Sequence, residues 1–148
     1  MRTSCRFAMA VHVLAVLAYK DGDRVTSTLL ASSVNTNPVI IRRLLLVLQK
    51  ARLVETRKGA GLGSRLGRSA ARINLGEVYR AVEDHECFAM ARTKPNHACP
   101  VGQCIQGELE KVFAAAESAL ERELAGTTLA NVLDTVKASC LGLSKRAK

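Results

Sequence analysis

The sequence predicts a mainly α fold, a winged helix-turn-helix with a two-stranded β wing and a long C-terminal dimerisation helix. Three observations predict it. The chain is 48% hydrophobic yet has only two Tyr and three Phe, so its core must be aliphatic, a composition that favours packed helices. Helical periodicity runs through the first half and breaks once, at an alternating segment with a glycine-rich tip. The positive charge gathers around that break. At 148 residues, one core with a helical extension is expected. Residues 1–84 are read as the winged helix-turn-helix region, 85–101 as a linker or sensor loop, and 102–148 as the dimerisation and C-terminal helices.

The first helix spans about Ser4 to Tyr19, buried over most of its circumference, and ends before the turn cluster Asp21, Gly22, Asp23. A short second helix runs from about Ser27 to Ser33, capped by Thr26 or Ser27, with Leu29, Leu30 and Ala31 facing inward. The third helix starts sharply. Asn37 can accept a backbone N–H bond as its cap, and Pro38 suits the first position, where no N–H is needed. Ile41, Leu44, Leu45 and Leu48 fall at i, i+3, i+4 and i+7 as the buried stripe. That turns Val39, Arg43, Leu46 and Lys50 outward, with Arg42 on the flank.

Leu53 to Arg57 alternates as a strand, Gly59 to Gly63 forms a flexible tip, and Ser64 to Leu66 returns as its partner. Ile73, Leu75, Val78, Tyr79 and Val82 mark a further short helix capped by Asn74. His85 to Cys99 lacks periodicity and reads as a loop. From about Gly102 to Leu124, the residues Ile105, Leu109, Val112, Phe113, Ala116, Leu120 and Leu124 trace one face of a helix roughly 30 Å long. A helix that long needs a partner, from the core behind it or from a second subunit. A last helix, about Thr128 to Cys140 and capped by Thr127 or Thr128, precedes a basic tail, Lys145 to Lys148, expected to be disordered.

The formal net charge is +9. Residues 1–84 hold 14 Lys and Arg against 6 acids, whereas 85–148 hold 8 against 7. Between Arg42 and Arg72 there are nine basic residues (Arg42, Arg43, Lys50, Arg52, Arg57, Lys58, Arg65, Arg68, Arg72) and one acid, Glu55. A run so poor in acids suits phosphate, because clustered cations release counterions from a polyanion.

Five cysteines without regular spacing argue against a secreted disulfide scaffold and for a reducing compartment, so a cytoplasmic location is expected. Arg2 and Arg6 before the apolar run Phe7 to Tyr19 imitate a signal peptide. His12 interrupts that run, however, and no small-x-small cleavage pattern follows. The run is also too short to span a bilayer. Cys5 and Cys140 read as buried small hydrophobes, and His12 as a hydrogen-bonded structural residue. Cys87, His97, Cys99 and Cys104 could ligate zinc or an iron–sulfur cluster, but no pair has the two-residue spacing of a metal knuckle. Gly59, Gly61 and Gly63 lack the following helix that a dinucleotide fingerprint needs. No catalytic constellation is present, so an enzyme is not expected.

Helix, short helix, turn, basic-faced helix and glycine-tipped hairpin follow the order of a winged helix-turn-helix, whose second helix enters the major groove. Several segments carry a resemblance. Arg6, Phe7, Ala8 through His12, Val13, Leu14, the segment Val34 to Arg43, Ala51 to Val54 leading into Arg57, Lys58, Gly59, and Leu75 to Glu83 together resemble the Rrf-two family of regulators, the family of IscR and NsrR. The resemblance covers about Met1 to Leu133. It implies a dimer binding a palindromic operator, in some members under control of iron–sulfur status, nitric oxide or oxidants sensed through cysteines. Two departures stand out. Ser64 and Arg65 follow Gly63 where the family's wing commonly has an aromatic. The loop has Cys99 and Cys104, with Cys87 well upstream, in place of three closely grouped cysteines, which resembles the members without a cluster.

The expected partners are therefore an operator in double-stranded DNA and a second copy of the chain, with no membrane. No cofactor is expected. Asn35, Thr36, Asn37, Val39, Arg42 and Arg43 are the candidate contacts of the recognition helix, and Arg57, Lys58 and Arg65 those of the wing. Cys87, Cys99 and Cys104 are the candidate sensor residues, and binding is expected to repress transcription. The rival from another class is a cysteine-based redox or metal-binding protein without specific DNA binding. A salt-dependent, sequence-selective gel shift separates the two.

Overall fold

A computed structural model describes residues 5–59, 61–83 and 87–146, with side chains described as far as residue 140. Ser4, the tip residue Ala60 and the 84/85 boundary expected from sequence lie outside the described residues. The elements in order are α1 (Arg6–Tyr19), α2 (Ser27–Val34), α3 (Pro38–Lys50), β1 (Val54–Arg57), β2 (Gly63–Leu66), α4 (Leu75–Val82), α5 (Pro100–Ala125) and α6 (Leu129–Arg146). A 3-10 turn over Ala70–Arg72, which the sequence did not suggest, joins the wing to α4.

Helices α1, α3 and α4 enclose one aliphatic core. Ala10, Val13, Leu14 and Leu17 from α1 meet Leu30 and Ala31 of α2 and the stripe Ile41, Leu44, Leu45, Leu48 of α3. Val78 and Val82 of α4 close it. The cap of α3 forms as its residues dictate: Asn37 Oδ1 accepts the Val39 N–H at 2.8 Å, and Pro38 fills the first turn. Asn74 and Glu77 build a reciprocal capping box at α4, satisfying two backbone N–H groups that a bare helix start would leave open.

The wing pairs antiparallel, Val54 with Leu66 through Arg57 with Gly63. It does not stand free. Val25 and Ser64 exchange backbone hydrogen bonds of 2.8 Å in both directions, so the α1–α2 connection adds a third, one-residue rung. Gly63 makes this approach possible: at φ +130° it sits where a Cβ would come within 3.0 Å of the Val25 carbonyl oxygen. The buried Ser64 hydroxyl is satisfied by Thr56 Oγ1 at 2.9 Å.

α5 and α6 behave differently from each other. α5 packs on α4 through Gly76, whose absent side chain lets the backbone of Glu121 and Ala125 come close. No residue of α5 is buried. α6 returns to α1 and the 3-10 turn, and its Leu129 and Leu133 enter the buried set. Among the described residues, no helix is long and apolar enough to cross a membrane.

Three sequence expectations need correction. Leu29 is 49% exposed, because α2 is too short to bury three consecutive residues and Leu30 and Ala31 take the inward arc. Cys5 and Cys140 are exposed rather than buried: Cys5 is the cap of α1, and α6 has passed the core after Leu133. α6 also runs on to Arg146, through residues expected to be a disordered tail, since no proline or turn cluster stops it.

Candidate nucleic-acid interface and sensor segment

The turn between α2 and α3 is set by its own polar residues. Asn35 adopts the left-handed conformation (φ 58°), closing α2, and Thr36 N–H donates to the Ala31 carbonyl at 3.0 Å. Asn35 and Asn37 are thus exposed with Thr36 between them, while the backbone duties of the turn are already met. Burial of the leucine stripe fixes the rotation of α3. Val39, Arg43, Leu46 and Lys50 consequently face outward as the sequence predicts, with Arg42, predicted on the flank, exposed beside them, and Val39 and Leu46 are 46% and 59% exposed. Arg43 and Lys58 have no ion-pair partner among the described residues. Arg42 is held by α2: its Nε–H donates to Ser27 Oγ at 3.2 Å.

On the wing, Arg57 and Lys58 are exposed, but Arg65 is engaged. Its Nε and Nη2 both donate to Glu55 Oε2, at 3.0 and 2.8 Å, across the paired positions of the two strands. That hydrogen bond and the charge of Arg65 hold the Glu55 carboxyl below its ordinary range. The sequence did not single out Arg24. Its Nη1 donates to the Gly63 carbonyl at 3.2 Å, tying the α1–α2 connection to the wing. Burial, then the nearby charges of Arg57 and Arg65, lower its pKa. Arg24 lies outside the basic run, and only the long-range Val25–Ser64 bridge brings it there.

The three sensor candidates do not share one environment. Cys87 Sγ and Tyr79 Oη of α4 share a hydrogen bond of 2.8 Å, and Cys87 N–H donates to Glu117 Oε1 of α5, also at 2.8 Å. The bond to Cys87 and burial push the Tyr79 hydroxyl up to about 12. Tyr79 also meets Phe7 of α1 edge-on, with ring centroids 5.5 Å apart. Cys99 caps α5, where the backbone N–H groups of Gly102 and Val101 lower its thiol pKa. Cys104 is exposed on the next turn. Tyr79 and Glu117 were missed as partners because one reads as a core aromatic and the other as solvent surface. His12 makes the hydrogen bond expected of it, Nε2 to Ser33 Oγ at 3.1 Å.

A helix-turn-helix with an exposed, arginine-bearing second helix beside a basic β hairpin defines a winged-helix DNA-binding regulator rather than an enzyme. Residues 3–135 match the family model Rrf2, described as an iron-dependent transcriptional regulator. The chain belongs to the Rrf2 family of transcriptional regulators. It is 39% identical over 129 residues to YwnA of Bacillus subtilis (strain 168), an HTH-type transcriptional regulator by name, covering 87% of this chain and 95% of YwnA. A solved protein described as DNA-binding is 37% identical, with a TM-score of 0.69 over 86% of this chain and 98% of its own. A transcriptional regulator from Lactobacillus plantarum, 25% identical, superposes with a TM-score of 0.76 over 97% and 99% of the two chains. The family's description implies iron; among the described residues no three His, Cys, Asp or Glu side chains converge as metal ligands, and Cys87 shares a hydrogen bond with Tyr79.

Proposed function

We propose that this chain works in the cytoplasm as a homodimer that binds a palindromic operator and represses transcription, with its loop thiols as the sensor and no bound cofactor. The observation that carries the DNA reading is the exposed face of α3, held by a buried leucine stripe and flanked by the wing. In this reading Asn35, Thr36, Asn37, Val39, Arg42 and Arg43 meet base edges and phosphates. Arg57 and Lys58 hold the backbone or minor groove. Arg65 contributes through its pairing with Glu55 more than as a free cation.

Two apolar surfaces support the dimer. α5 exposes Val101, Ile105, Val112 and Leu120, and a groove of about 720 Å³ between α1 and α6 is lined by Phe7, Val11, Tyr19, Val132 and Val136. A two-fold dimer covers such surfaces and spaces its recognition helices about one helical turn apart. The thiol reading rests on Cys87, which bridges the α4 end of the winged region to α5. Oxidation there would break the Tyr79 hydrogen bond and alter how the two half-sites are spaced.

Selection of bound fragments from genomic DNA, followed by gel shifts at rising salt, tests the reading. A palindromic site bound by a dimer supports it, and binding without sequence preference overturns it. Mild oxidant should weaken operator binding by the wild type and leave Cys87→Ser unaffected. Equal behaviour of the two would assign sensing elsewhere.

A further inference from the structure

A cleft of about 460 Å³ lies where the end of α3 meets the wing, lined by Arg24, Gln49, Arg52, Glu55 and Arg57. Three of these side chains are guanidinium groups and one is a carboxylate. Neither Arg52 nor Arg57 has an ion-pair partner among the described residues, and Arg24 gives one N–H to the Gly63 carbonyl. Glu55 gives its Oε2 to Arg65, which stands outside the lining. The cleft therefore concentrates positive charge, three guanidinium groups against the single Glu55 carboxylate, which is itself paired with Arg65. Burial first, and then the charges of Arg57 and Arg65, lower the pKa of Arg24.

We propose that this cleft seats one backbone phosphate of duplex DNA, gripped by Arg24 and Arg57, with Glu55 acting as an intramolecular competitor that keeps Arg65 from joining them. The inference rests on the DNA-binding reading and adds to it a residue, Arg24, from outside the helix-turn-helix pair and the wing. A phosphodiester suits the seat because it is a compact anion with two free oxygens, and guanidinium groups bind such oxygens through paired N–H donors. The seat lies between the recognition helix and the wing, so filling it would set the angle between them. The Val25–Ser64 bridge holds Arg24 in place beforehand, so little ordering is needed at binding. Glu55 tunes the grip: it repels phosphate directly, and it withholds the fourth arginine.

The test is fluorescence anisotropy with a labelled random-sequence duplex of about 30 base pairs, titrated between about 50 and 200 mM KCl. Each neutralised phosphate adds a slope of about −0.9 to log Kobs against log salt. Arg24→Ala should flatten the slope by about 0.9 and weaken binding about eightfold at 0.1 M salt, with Arg24→Lys keeping the wild-type slope. Glu55→Gln should tighten binding, since the carboxylate no longer repels the phosphate and Arg65 is released to join the grip on it. If both Arg24 variants weaken binding at an unchanged slope, Arg24 is only a structural clamp on the wing and the proposal fails. An unchanged slope in a folded Arg24→Ala overturns it equally. Should that variant not fold, Arg57→Ala, an exposed position, carries the same criterion. Wild-type protein with no salt-dependent binding would sink the DNA reading itself, whereas a steep wild-type slope with unaffected variants sinks only the seat.

Discussion

The winged region and helix α5 contain similar aliphatic residues and treat them in opposite ways. Between Ala10 and Val82 most leucines and valines converge on one core, Leu29, Val39, Leu46 and Leu62 excepted, and Leu14, Leu30, Ile41 and Leu48 are fully buried. Along α5 the same residue types stay open to solvent, and Val101 and Val112 are 66% and 60% exposed. An aliphatic core closed within one chain is self-sufficient; a 26-residue helix with nothing buried is not. The difference teaches that the winged region buries its apolar residues within one chain, whereas α5 leaves its own open for the proposed dimer to cover. In that proposal DNA binding and assembly use different surfaces, which makes each open to independent disruption.

The sharpest way to break the contrast is to charge the unfinished surface. Leu109→Glu with Val112→Glu should abolish the dimer, since two buried carboxylates at an interface are strongly unfavourable, while leaving the winged core folded. Sedimentation velocity at micromolar concentration reads this, and a wild-type monomer there would remove the premise. The opposite experiment spoils the finished core. Leu129→Ala removes a side chain with no exposure and should cost about 2–5 kcal/mol, measured by urea denaturation, because α6 then loses its hold on the core. A loss below about 1 kcal/mol would mean that α6 is not part of the folded unit.

Between these extremes lies the surface that does not fold the protein at all. Arg42→Ala with Arg43→Ala should leave the denaturation midpoint nearly unchanged. It should weaken operator binding by about 1–3 kcal/mol for each arginine that reads a base edge. Unaltered affinity would exclude α3 as the reading helix. The capping box is a smaller matter: Asn74→Ala should cost about 1 kcal/mol by the same denaturation assay, as α4 loses a side-chain acceptor for its Glu77 N–H.

The smallest effect is a pH dependence within the same box. Burial alone would raise the Glu77 carboxyl, but the Asn74 N–H and the Arg68 guanidinium at 2.8 Å outweigh it and hold the group below its ordinary range. A folded-state pKa below the unfolded one means that the stabilisation is complete above the unfolded carboxylate range. It is then lost as pH falls through the lower, folded value. Glu77→Gln should therefore show a shallower loss of stability than wild type below about pH 4.3, as followed by denaturant melts. Parallel acid limbs would show that Glu77 contributes nothing there.

Much of this could be read from local pattern. The start of α3 followed from Asn37 and Pro38, its rotation from Ile41, Leu44, Leu45 and Leu48, and the cap of α4 from Asn74, because each depends on residues within a turn or two of one another. The exposure of Val39, Arg42, Arg43, Arg57 and Lys58 follows from the same short-range rules. Leu29, Cys5 and Cys140 departed from expectation, since burial along a short helix or at a helix end depends on what packs against it.

What sequence alone determined, then, was the order of elements, the aliphatic core of the winged region and the concentration of charge between Arg42 and Arg72. Tertiary structure decided which charges are free and which thiols have partners. Arg65 is tied to Glu55 because antiparallel register places them opposite each other, and Arg24 joins the wing because Val25 and Ser64 pair across nearly forty residues. Cys87 meets Tyr79 and Glu117 because α4 and α5 pack around Gly76. Periodicity reports which way a side chain points from its own helix or strand. What it meets there depends on the approach of distant segments, and that exists only once the chain has folded.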